Sequence, residues 1–137
     1  MINILDNKAN LEIIDYTKNN LEKISIRSGK CRFNYRCHMN AVHEAINNNE
    51  DEVAMVVYFH KNDDGSIYPI IHFVNVDADG IYTDNTLGNW SRYYEYYLIK
   101  NIEELDFPII NSILSNYKDE FRKKLSFTTR LLSTVVC

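Results

Sequence analysis

Three residues of this chain bring together side-chain types that cooperate in nucleophilic chemistry: Cys37, His72 and Asp84. A thiol attacks strongly once ionised, and an imidazole can hold and return the proton. A carboxylate or amide beside that imidazole fixes its tautomer and orientation. Such a set carries out acyl transfer at an amide, ester or thioester carbonyl. Cys37 opens the run Cys-His-Met-Asn-Ala-Val-His-Glu-Ala-Ile, and the other two lie in Ile70 to Gly88, Ile-Ile-His-Phe-Val-Asn-Val-Asp-Ala-Asp-Gly-Ile-Tyr-Thr-Asp-Asn-Thr-Leu-Gly.

The elements around these residues must position them. From Cys37 or His38 onward, Met39, Val42, Ala45 and Ile46 follow a helical period that the Asn47-Asn48-Asn49 run stops. Cys37 therefore falls at or just before the first turn of a buried helix, where unpaired backbone N–H groups and the dipole favour thiolate over thiol. Two β-rich runs around Asp79-Gly80 predict an antiparallel hairpin with His72 on its first strand. A three-residue loop, Ala78 to Gly80, sets Val74 opposite Asp84 and leaves Asp84 one diagonal step from His72 on the same face. A four-residue loop from Asp77 sets Asn85 directly opposite His72 instead. Loop length decides the third member, and Asp84 is preferred because a carboxylate also stabilises the charged imidazole.

The rest of the chain supplies the frame. Leu11, Ile14, Leu21 and Ile24 predict an amphipathic helix over residues 7–24, ended near Gly29. The apolar run Val53 to Phe59 is a central strand, and Ile67 to Val76 the next, with Pro69 marking an edge or irregular start. The hairpin and a strand from Tyr93 to Ile99 complete a meander of about four antiparallel strands. A helix follows Pro108, with Ile110, Ile113, Leu114, Tyr117, Phe121 and Leu125 on one face. Leu131 to Cys137 is an edge strand or a docked tail. The expected class is α+β: an antiparallel sheet packed against the cysteine-bearing helix and flanking helices, in one domain spanning residues 1–137.

Composition narrows the function. Hydrophobic residues make up 45% and charged residues 25%, and the net charge is −4 with one short basic cluster, Arg122 to Lys124. This argues against a broad nucleic-acid face. No long apolar run and no basic, apolar leader occurs, so neither a membrane nor export is expected, and cytoplasmic residence is. Three cysteines, Cys31, Cys37 and Cys137, are an odd number and fit a reducing compartment better than a disulfide framework. Cys31 is read as a loop residue or a resolving thiol. Cys31, Cys37, His38 and His43 match no usual zinc spacing, so neither metal nor cofactor is expected. Seventeen asparagines and no glutamine suggest, by association, an AT-rich genome such as that of a phage or a low-GC bacterium.

Residues 31 to 88 resemble the papain-like and transglutaminase-like cysteine superfamily, most closely its small phage and bacterial branch. There a helix-initial Cys-x-x-Asn-Ala precedes a His-Ala-Trp strand and an Asp-Pro-Thr strand. Here the corresponding residues are Cys37-His38-Met39-Asn40-Ala41, His72-Phe73-Val74 and Asp84-Asn85-Thr86. The resemblance implies a papain-like core with Cys37 as nucleophile, His72 as base and Asp84 as orienting acid. No glutamine is present for the papain-type oxyanion role, which Asn34 or the backbone N–H of Cys37 would fill. The implied function is a peptidase, amidase or transglutaminase-like protein acting on an unknown protein or peptide. The alternative is an inactive relative serving as a protein-binding module, phage-encoded and directed at a host protein in the host cytoplasm.

Overall fold

The computed structural model describes residues 4–123 apart from 33, 35, 49 and 50, without the side chains of 4–6. The elements run α1 (Ile4–Asn20), β1 (Glu22–Ile24), β2 (Ile26–Ser28), α2 (Cys37–Asn47), β3 (Glu52–Lys61), β4 (Ile67–Val76), β5 (Tyr82–Asp84), β6 (Tyr96–Ile102) and α3 (Ile110–Lys123). Two 3₁₀ segments, Gly88–Tyr93 and Glu104–Ile109, precede β6 and α3. The fold is α+β, but the sheet is not the expected four-strand antiparallel meander. Among the described residues it has six strands in the order β1-β6-β3-β4-β5-β2, mixed because β2 runs parallel to β5.

The correction arises from residues 21–28. Helical spacing carried the expected first helix through Ile24, yet α1 stops at Asn20 and the chain continues as β1 and β2. Only Ser25 separates these two strands, although they form opposite edges of the sheet. The sheet must therefore curl until its edges meet, which gives the short segment 22–28 partners on both sides and leaves few bare strand edges. Ile24, which suited a helix face by spacing alone, instead packs with Ile26 on the apolar lining of the curl.

β3 holds the centre, as its unbroken apolar run predicts. It pairs with all ten residues of β4 and with β6, whose register slips between Met55 and Val56. Side chains alternate between two buried layers. Ala54, Val56, Tyr58, Val74, Val76 and Tyr96 line the interior of the curl. Val53, Met55, Ile71, Phe73 and Ile102 face outward against Ala9 and Ile13 of α1, Ala41 and Ala45 of α2, and Phe121 of α3. The strand expected from Tyr93 begins at Tyr96, because Gly88–Tyr93 winds as a 3₁₀ segment. The terminal stretch Leu131 to Cys137, and Leu125 on the last helix, lie outside the described residues.

The β4–β5 loop has the shorter of its two candidate lengths. Asn75 pairs with Thr83 and Val76 with Tyr82, and the Asp77 N–H donates to the Ile81 carbonyl at 3.1 Å. Asp77 Oδ1 accepts the N–H groups of Asp79 and Ile81, and Gly80 takes a left-handed φ of 78°. β5 then reaches only Asn75 and Val76 of β4, so the stretch of β4 that holds Pro69 and His72 has an open edge. The start of α2 sits against that opening.

Candidate active site

Cys37 is the first residue of α2. Arg36 precedes it at the N-cap without a side-chain hydrogen bond to the helix, and no acidic residue occupies the first turn, so the positive helix end is left to the thiol. The half-buried Cys37 sulfur lies within hydrogen-bonding reach of the His72 ring and of the backbone N–H groups of Phe73 and His38. Burial alone would push its ionisation up. The bond to His72, the imidazolium charge and the two backbone donors outweigh it and hold the thiol below its ordinary value. The strand alternation that aims the Phe73 N–H at Cys37 also turns the Pro69 nitrogen away from β3, so Pro69 costs the ladder no bond.

His72 and Asp84 face the interior of the curl, 3% and 0% exposed. His72 Nε2 and Asp84 Oδ2 are 2.9 Å apart, which leaves Nδ1 as the ring nitrogen available to the thiol. Asp84 Oδ2 also accepts the Tyr96 hydroxyl at 2.7 Å, while Oδ1 accepts the Thr86 and Leu87 N–H groups at 2.9 and 2.8 Å. Burial would raise the Asp84 pKa, but the bond to charged His72 and the backbone donors hold it below the ordinary carboxylate range. For His72, burial pulls downward, and the bonds to Asp84 and Cys37 and their charges overcome it, raising the imidazole to about 9. All three directions favour a thiolate, an imidazolium and a carboxylate in line.

Hydrogen bonds fix the helix start against β5. Asn40 Nδ2 donates to the Thr86 hydroxyl at 2.9 Å, and the Arg32 N–H donates to the Thr86 carbonyl at 2.7 Å. Arg32 and Lys30 both reach Glu44 Oε1 at 2.7 Å, and Arg32 Nη1 reaches the Asn85 carbonyl. Asn75 Nδ2 donates to the Ala41 carbonyl at 2.8 Å, tying β4 to α2. Gly29 permits the close crossing, since its N–H donates to the Asp84 carbonyl and a Cβ there would stand 2.8 Å from that oxygen.

The two other candidates for the site are engaged elsewhere. Asn85 turns to the opposite face of β5, where Nδ2 donates to Asn75 Oδ1 and Oδ1 accepts the Lys30 N–H. Asn34 is exposed, exchanges side-chain amide bonds with Asn40 and accepts the Arg36 N–H, shaping the approach to α2. Among the described residues no cluster of three His, Cys, Asp or Glu side chains is arranged to hold a metal, and no helix is long and apolar enough to cross a membrane.

Sequence reasoning quoted Asn40 only within the resemblance, without a role, and missed Asn75 and Tyr96. Asn40 falls on the inward face of the predicted helix, three residues after Cys37, and a polar residue at a core position is a signal of a specific bond. Tyr96 was hidden in the run Tyr93 to Tyr97, where alternation alone suggests packing. No known family model, curated protein or solved structure matches this chain.

Proposed function

We propose that this protein is a thiol-dependent acyl-transfer enzyme or hydrolase, related to the papain-like and transglutaminase-like superfamily, acting on an amide, ester or thioester of a protein or peptide. The observation that carries the reading is Cys37, at an uncapped helix start, meeting an imidazole whose other nitrogen is tied to a fully buried carboxylate. The Cys37 thiolate attacks the carbonyl carbon and forms the S–C bond. Backbone N–H groups beside the sulfur stabilise the oxyanion. The bond to the leaving group then breaks as His72 gives that group its proton, leaving a thioester on Cys37. Water or an acceptor amine attacks the thioester, its proton passes to neutral His72, and the thiolate leaves.

Mixing the protein with p-nitrophenyl acetate tests this. The expected result is a burst of one equivalent of nitrophenol and an acetyl group located on Cys37 by mass spectrometry. The burst disappears in the Cys37→Ala chain. Absence of acetylation at Cys37, together with iodoacetamide labelling at pH 6 no faster than that of glutathione, would overturn the proposal.

A protein-binding module without turnover is the second reading, favoured by one exposed surface. Trp90 and Tyr93 are 56% and 63% exposed with ring centroids 5.9 Å apart, and the Arg92 guanidinium lies over Tyr93. Trp, Tyr and Arg are the residue types that dominate protein interfaces. A partner bound equally by wild type and Cys37→Ala, and lost in Trp90→Ala, supports this reading.

A further inference from the structure

We propose that Tyr96 is a positioning residue of this site: its buried hydroxyl shares Asp84 Oδ2 with His72 and so governs how firmly the carboxylate holds the imidazole. The catalytic meaning of this rests on the acyl-transfer reading above; the physical coupling does not.

Tyr96 is the first residue of β6 and is 1% exposed. β6 and β5 are separated in the sheet by β3 and β4, so the Tyr96 hydroxyl reaches Asp84 across the interior of the curl and not along a strand ladder. Its bond is 2.7 Å and that of His72 to the same oxygen 2.9 Å. The titratable groups facing His72 are Asp84 from β5, Tyr96 from β6, Tyr58 from β3 with its ring edge-on at 5.3 Å, and Cys37 from α2. Burial, the neighbouring carboxylate and the bond to it push Tyr96 ionisation far above the usual tyrosine range, so its hydroxyl stays a donor at every working pH.

Two donors on one oxygen divide its charge. Oδ1 is already occupied by the Thr86 and Leu87 N–H groups, so Oδ2 is the only atom through which Asp84 pulls on the ring. A carboxylate that gave Oδ2 to His72 alone would stabilise the imidazolium more strongly through Nε2, and His72 must release its Nδ1 proton to the leaving group. Tyr96 therefore moderates the proton affinity of His72 while keeping Asp84 ionised and oriented.

The test is the His72 ring titration, followed by carbon-detected NMR in wild type and Tyr96→Phe. The variant keeps the ring and removes the donor. The expected result is an upward shift of His72 by roughly 0.5–1 unit, with the alkaline limb of Cys37 acetylation moving in step. A folded Tyr96→Phe chain whose His72 titrates as in wild type, or lower, overturns the proposal. If that chain does not fold, the wild-type hydroxyl decides: the expected Tyr96 proton exchanges slowly and shows a cross-peak to the His72 ring, and exchange as fast as that of an exposed tyrosine overturns it. Failure of wild type to acetylate removes the enzymatic reading but leaves this titration fully decisive for Tyr96.

Discussion

Along β4, Ile71, Phe73 and Asn75 turn outward to the helices, while His72, Val74 and Val76 turn into the curl of the sheet. Both layers are buried. On β4 the outer strip is apolar apart from Asn75, which donates to the Ala41 carbonyl and uses its polarity to hold a helix. The inner one is apolar at the Val76 end and ionic at the His72 end, where Asp84 is completely buried. An isolated charge there would be prohibitively costly. It is tolerated because His72, Tyr96, Thr86 and Leu87 all donate to the carboxylate. The outer layer thus supplies stability through area, and the inner layer uses that stability to keep charged groups in one geometry.

Substitutions on the two layers separate these roles. The largest effect is expected from Cys37→Ala, which removes all acetylation and all low-pH alkylation at this position while circular dichroism stays close to wild type. Next is Asp84→Asn. It leaves His72 without its carboxylate, lowers Cys37 alkylation at pH 6 on the order of 100-fold, and costs roughly 3–5 kcal/mol in urea unfolding. On the outer layer, Met55→Ala is expected to cost about 2–5 kcal/mol yet leave alkylation of the folded protein unchanged. A comparable loss of alkylation in Met55→Ala would show that the layers are not separable.

The smallest effect is a slope with pH. His72 binds its proton more tightly in the folded chain, about 9 against an ordinary 6.5, so its contribution is complete below 6.5 and lost as pH rises through 9. Cys37 is lowered from 9.0, so its contribution grows over the same range as pH rises toward 9.0. The two slopes oppose because folding raises the proton affinity of the ring and lowers that of the thiol. Wild type is expected to show a urea midpoint that falls less steeply between pH 6.5 and 9 than that of Cys37→Ala. Equal slopes in the two chains would mean the thiol and imidazole are not coupled.

The candidate site was more legible than the fold around it. Cys37, His72 and Asp84 carry their chemistry in their side chains, and local rules placed each: a helical period beginning at Cys37, strand alternation at His72, and an Asp-Gly turn that left two registers to choose between. The sheet was less legible. Residues 21–28 carry helix-compatible apolar spacing at Leu21 and Ile24, and nothing local says that this segment will join two distant sheet edges. Tyr96 was likewise invisible as a site residue, because its strand and that of Asp84 are separated in the sheet by β3 and β4 and meet only across the curl, and Asn75 because Ala41 is 34 residues away.

By itself the sequence determined which groups could react, that α-helices and β-strands would both be present, and where Cys37 would stand on its helix, because helix period, strand alternation and turn chemistry act over a few neighbouring residues. Only the tertiary structure decided that Asp84 and not Asn85 meets His72, that the sheet curls through β1 and β2, and that Tyr96 reaches across to the carboxylate. Those outcomes depend on the three-residue loop after Asp77, on the pairing of β1 and β2 with strands far along the chain, and on a contact between two strands that are not neighbours in the sheet. Such contacts form only when the whole sheet buries its interior at once.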